Sequence, residues 1–172
     1  MIQQTPWLQR MFRFDFPVGL FPIIFSRLEG SVFRLYNLLQ AADEENSSKS
    51  TKSWSIKQHV GHLYDLEELW WKRLNDFQQI KEMLTAADMT NAKTDAADHN
   101  NKKISELLQL FTAERNKMLE TVYDFNEDML NRTSLHPRLN IPFRLVDSLF
   151  FVAEHDDHHI AHVTTLLHPR VK

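Results

Sequence analysis

The sequence predicts an all-α protein folded as a four-helix bundle. Three observations carry this reading. Only three glycines occur in 172 residues, and alternation of Val, Ile and Thr at a period of two is scarce. Apolar residues recur instead at spacings of three and four, which line one face of an α-helix. Four long segments show such a stripe, and four amphipathic helices bury their stripes most economically against one another. The length suits a single core. Residues 1–172 are therefore read as one helical-bundle domain with an N-terminal arm and long inter-helix loops.

The arm runs from Met1 to Gly19. Phe12, Phe14 and Phe16 alternate as in an extended chain, and Pro17 and Gly19 turn it; the phenylalanines are expected to cover one end of the core. The first helix is predicted from about Leu20 to Gln40, with Phe21, Ile24, Phe25, Leu28, Val32, Leu35 and Leu39 on one stripe. Pro22 suits its first turn, where a missing N–H costs nothing. Gly30, which costs up to about 1 kcal/mol against Ala in mid-helix, is read as a close helix contact. Ala41 to Ser53 is polar and forms a loop.

The second helix opens at Trp54-Ser55, where Ser55 and Gln58 make a capping box. Leu63, Leu66, Trp70, Leu74 and Phe77 continue the stripe. His59, His62, Asp65 and Glu67 lie in its first turns, and periodicity does not decide which histidine faces inward. Thr85 to Asn100 is polar and long for a connection within a bundle, a length that often signals function. The third helix is predicted from about Asn101 to Tyr123, with Ile104, Leu107, Leu108, Phe111, Met118, Leu119 and Val122 on its stripe. A loop with His136-Pro137-Arg138 and Ile141-Pro142 follows. The fourth helix is expected from Pro142 to about Leu167, before Pro169.

The chemistry concentrates in that last helix. Four of the nine histidines fall between His155 and His162. His155 and His159 are four apart and share a face, with His162 close to their line and His158 to one side. Two imidazoles at this spacing can share a metal ion. A third ligand would come from another helix, and His59 and His62 are both candidates on spacing alone. Neutral imidazole suits Zn, Ni, Fe or Cu, so ligand type does not select the metal. The competing reading keeps these histidines as hydrogen-bonded core residues with no metal.

Composition excludes other chemistries. The chain has no cysteine, which rules out disulfides, cysteine-ligated zinc and thiolate catalysis by the protein itself. A net charge of -3 without a basic stripe gives no case for nucleic acid. The N-terminal residues contain no apolar run of signal or membrane-span length. The expectation is a cytoplasmic protein with no membrane partner.

Several motifs together resemble the DinB-like superfamily and, within it, the YfiT-like metal-binding branch. They are Phe14-Asp15-Phe16-Pro17 with Gly19-Leu20-Phe21-Pro22, and Trp54-Ser55-Ile56 leading to Gly61-His62-Leu63 and Asp65-Leu66-Glu67. They continue with Ala87-Asp88-Met89-Thr90-Asn91, Thr94, His99-Asn100 and His136-Pro137-Arg138-Leu139, and close with Ala153-Glu154-His155-Asp156-Asp157-His158-His159. The resemblance spans nearly the whole chain. It implies an up-up-down-down bundle, commonly a homodimer, with three histidines on one divalent metal, zinc or nickel. The Gly-His-Leu motif selects His62 over His59, and the other two ligands match His155 and His159. His158 then becomes a neighbour of the site. His162 stands where relatives often carry Gln, which leaves a fourth imidazole as ligand, base or lining.

The resemblance implies a metal-dependent enzyme of thiol-S-transferase or hydrolase type acting on a small molecule, with a low-molecular-weight thiol as co-substrate. The alternative is a non-catalytic stress-response module in which the ion only ties two helices together. Asp65 is a candidate to orient a ligand imidazole, whereas Glu67 is assigned to a solvated face. Arg144 is read as a surface or interface ion-pair partner, with a place at the pocket rim as the alternative. His99 and Asn91 are read as local caps, with pocket contact as the alternative.

Overall fold

The structure is a computed structural model and describes residues 3–50 and 53–168. The first residues of the expected arm, two residues of the first loop and the stop at Pro169 lie outside the described residues. The elements are α1 (Phe21–Leu39), α2 (Ile56–Gln78), α3 (Ala92–Ala96), α4 (Ile104–Tyr123), α5 (Glu127–Leu130), β1 (Thr133–Leu135), β2 (Pro142–Arg144) and α6 (Leu145–Leu167). The four long helices form the bundle. Pro22 sits in the first turn of α1, and Ser55 caps α2 in a reciprocal box with Gln58. No helix among the described residues is long and apolar enough to cross a membrane.

Contacts along the bundle fix the helix directions. Phe25 near the start of α1 meets Tyr123 at the end of α4, whereas Leu39 and Ile104 share a cluster at the other end. These helices are therefore antiparallel. Arg27 and Arg34 of α1 pair in order with Glu154 and Asp157 of α6, so that pair is parallel. The start of α2 packs with the start of α4 and the end of α6. The order is therefore up-down-down-up and not the up-up-down-down expected from the resemblance. The physical consequence lies in the connections. Because α2 and α4 are parallel, the chain between them must travel back along the bundle, which takes more residues than a tight turn. This explains the long segment before α4, and it lays Thr94 and His99 against α2.

The core divides into two apolar clusters. One gathers Ile24 and Leu28 of α1, Trp70, Leu74 and Phe77 of α2, Met118 and Val122 of α4, and the first half of α6. The other gathers Leu35, Leu39, Val60, Leu63, Leu107, Phe111, Ile160 and Val163. Each fully buried Leu or Phe contributes about 1.5–3 kcal/mol. Between the clusters lies a polar waist. Arg115 of α4, wholly buried, donates to Glu67 (2.6 Å) and Asp156 (2.5 Å) and also to the carbonyl of Leu28. Glu67 is therefore buried, which corrects its assignment to a solvated face. A guanidinium on the third stripe draws it inward. Burial pushes the Glu67 carboxyl up to about 7 despite Arg115.

The arm lies along α6. Phe12, Phe14 and Phe16 pack on Phe151, Phe143 and Phe150. Arg144 pairs with Asp147 and donates to the carbonyls of Phe14 and Phe16. It thus ties down the arm and does not line the pocket. A β-hairpin precedes α6, with Ser134 opposite Phe143, so Pro142 belongs to a strand and the helix begins at Leu145. Gly30 marks no close contact, since a Cβ there would meet nothing within 4 Å.

Candidate metal centre

The polar waist continues, between α2 and α6, into a cluster of imidazoles. One nitrogen each of His62, His155 and His159 lies within 4.8 Å of the others, and all three side chains are buried. His155 and His159 sit one turn apart on α6, and their Nε2 atoms are 3.2 Å apart. Three imidazoles bound at ~2.0–2.1 Å to a tetrahedral ion would stand ~3.3 Å apart. The His155–His159 spacing matches this value, and His62 brings a third nitrogen within 4.8 Å of both, a donor set that suits a divalent ion. No fourth histidine or carboxylate joins the group among the described residues. His162 stacks on His59 instead (5.0 Å between centroids).

The partners of each ring set its tautomer. Thr94 Oγ1 donates to Asp65 Oδ2 (2.9 Å), so its oxygen accepts from His62 Nδ1–H (2.9 Å). That leaves the Nε2 lone pair of His62 for the cluster. His99 Nε2 also donates to Asp65 (2.8 Å). Burial pushes the Asp65 carboxyl up, but the hydrogen bonds from His99 and Thr94 outweigh it and hold the group below its ordinary range. Asp65 thus orients His62 through Thr94. His99 is buried and completes this chain, which corrects its reading as a local cap. Its ring lies against Gly61, where a Cβ would come within 2.3 Å of it. Asn91 caps α3 through no side-chain bond and lines the pocket.

His59 stands behind the cluster. Its Nδ1 is 2.9 Å from His159 Nδ1, an arrangement in which His159 donates and keeps its Nε2 free. Among the described residues His155 has no such partner, and its Nδ1 is buried and unbonded. Gln4 of the arm donates to His158 Nδ1, so His158 flanks the site. Burial is the first cause of low basicity throughout. It brings His62 down to about 4 and His59 to about 3, and it holds His155 and His159 well below the ordinary imidazole value, helped by neighbouring histidines. The rings are therefore neutral near pH 7, the form that binds metal.

The three histidines open on a pocket of about 470 Å³. Trp7, Trp54, Trp70 and Phe151 form much of its wall, with Arg73, His136 and Arg138 as further polar members. Trp7 meets the His155 ring edge-on at 4.9 Å. No sequence pattern placed the arm at the pocket, and His136 carried a signal only as part of a motif.

Fold and site together define a helical-bundle protein with a buried three-histidine centre facing a cavity. The family model of the DinB superfamily matches residues 28–163, and the chain belongs to that superfamily. Among solved structures it is similar to one described as "YfiT from Bacillus subtilis is a probable metal-dependent hydrolase with an unusual four-helix bundle topology". The identity is 19%, the coverage 91% of each chain and the TM-score 0.79. It is also similar to the mycothiol-dependent maleylpyruvate isomerase, at 11% identity and a TM-score of 0.67, over 88% of this chain and 62% of that one. At these identities the likeness shows the fold. No curated protein matches by sequence.

Proposed function

We propose that the protein is a divalent-metal-dependent enzyme that joins a low-molecular-weight thiol, or water, to a small electrophilic substrate. The observation that carries this reading is a three-histidine group with no fourth protein ligand among the described residues, facing a cavity. A structural ion would be served better by a closed set of four ligands. His62, His155 and His159 would hold the ion; donor type alone does not choose among Zn, Ni, Fe and Cu, and the resemblance to the family points to zinc or nickel. When bound, such an ion lowers the pKa of a water or thiol so that it ionises near neutral pH.

The chain's own residues do the rest. Asp65, Thr94 and His99 fix the His62 ring, and His59 fixes His159. Trp7, Trp54 and Trp70 exclude water from the substrate. With no cysteine in the chain, any sulfur nucleophile is supplied as co-substrate. One structural neighbour is described as a probable metal-dependent hydrolase, which supports the water branch, and the other is mycothiol-dependent, which supports the thiol branch. The test is a panel of cellular thiols and water against small electrophiles, with zinc and nickel supplied separately. Turnover that disappears in His155→Ala supports the proposal, and inertness of every combination removes it.

For the homodimer, the surface we propose is centred on the exposed Phe33 and Tyr36, one turn apart on α1. Sedimentation of the wild type and of Phe33→Glu tests it, since a monomeric wild type removes the proposal.

A further inference from the structure

We propose that Arg73, His136 and Arg138 form an anion subsite in the same pocket, which receives a carboxylate carried by the small-molecule substrate. This subsite rests on the reading of the cavity as a small-molecule site. The three side chains come from α2 and from the loop between β1 and β2, and all line the cavity.

Among the described residues, two cations at this end of the pocket lack a carboxylate within ion-pair distance. Arg73 is 3% exposed and donates its Nε–H to the carbonyl of Thr85 (3.0 Å). Among the described residues, neither Arg73 nor Arg138 pairs with a carboxylate. The acids nearby are engaged elsewhere. Asp76 accepts from Lys81 and twice from Thr85, and Asp88 accepts from Thr90 and the Ala92 N–H. Burying a cation without an ion-pair partner is costly, and an ionisable group perturbed by burial in a cleft marks a candidate binding site. Burial, against the pull of Asp76 and with the repulsion of Arg138, brings Arg73 down to about 10.

One donor on Arg138 itself and one on the neighbouring His136 ring are also unmet. His136 Nδ1 accepts from the backbone N–H groups of Arg138 and Leu139. Its ring proton therefore sits on Nε2, which is buried and has no partner among the described residues. Arg138 Nη2 is likewise buried and unpartnered. The His136 N–H and the Arg138 Nη2 group, with Arg73 beside them, suit the two oxygens of a carboxylate.

Position links these groups to the metal centre. The Arg73 guanidinium lies over Trp70 (5.5 Å), and the Trp70 ring is 6.0 Å from His155. Arg138 lies over Phe151 (5.9 Å), one turn before His155 on α6. About one aromatic ring thus separates the arginines from the histidine cluster. The substrate class is a small molecule whose carboxylate lies a few bonds from its reacting group.

The experiment titrates succinate and the uncharged succinamide into chelator-stripped protein by calorimetry, alongside the ¹⁵N signal of the His136 ring. Succinate is expected to bind at least tenfold more tightly than succinamide and to shift His136 Nε2. Arg138→Gln, a half-buried loop position, is expected to lose at least tenfold in succinate affinity. If that variant does not fold, the His136 signal in the wild type decides. Equal affinity for the two probes, an unmoved His136 signal, or binding that requires added metal overturns the subsite. The stripped protein makes this result independent of the metal proposal, which stands or falls on metal content.

Discussion

Gly61 is the position where two physical effects pull in opposite directions. Replacing a mid-helix Gly by Ala normally stabilises by about 1 kcal/mol. Here the new Cβ would stand 2.3 Å from Cγ and Cδ2 of the His99 ring and 2.6 Å from its Nδ1. The ring must retreat by roughly 1 Å, and such overpacking costs about 1–3 kcal/mol. The retreat also breaks the 2.8 Å hydrogen bond from His99 to Asp65, a charge-assisted bond worth about 1.5–3 kcal/mol. Packing wins, and Gly61→Ala is expected to destabilise by roughly 2–4 kcal/mol in urea unfolding. Because Asp65 orients His62 through Thr94, metal affinity measured by chelator competition is expected to fall about 10–100-fold. In a His99→Ala background the same substitution meets no ring, and its sign should reverse. A Gly61→Ala protein as stable as wild type, with unchanged metal affinity, would refute this chain of contacts.

Three other outcomes are expected. Arg115→Met leaves Glu67 and Asp156 buried without their cation, and should cost about 3–5 kcal/mol, whereas Glu67→Gln should cost less; chemical denaturation of both compares them. His136 is held at about 4 by burial and then by Arg73 and Arg138. The unfolded chain therefore binds more protons between about pH 6.5 and pH 4, and stability is lost as pH falls through that window. His136→Gln should flatten the pH profile of the urea midpoint there by roughly 1–3 kcal/mol, after discounting for screening. Ile80 holds φ 54° and is exposed just past α2, where a β-branched residue is strained. Ile80→Gly should raise stability by about 1 kcal/mol, and an unchanged melting temperature would argue against the strain.

Periodicity reached the four helices because each long stripe faces a core that repeats along the bundle. The same stripes carried a weaker signal that points to the waist. Arg115 falls between Phe111 and Met118, and Glu67 between Leu63 and Trp70, both on the buried spacing. A charge on a stripe is either an error of the pattern or half of a buried pair, and here the two answer each other. Of the site, His155 and His159 were legible because their relation is local to one helix. Periodicity could not choose between His59 and His62, because both rings lie against His159 of α6; the Gly61-His62-Leu63 motif made that choice. Helix directions were out of reach of local pattern, since they depend on which ends meet. Trp7 acts across the fold and nothing in its neighbourhood announces it, whereas His99 carried a signal only through the His99-Asn100 motif.

The central claim is that three imidazoles from α2 and α6 share one ion. It is tested most directly by the metal content of untagged protein, measured by mass spectrometry for the wild type and for His62→Ala, His159→Ala and His59→Gln. One equivalent of zinc or nickel is expected in the wild type and in His59→Gln, and little in the other two. A wild type without metal, or a His62→Ala protein that keeps its full equivalent, would contradict the account.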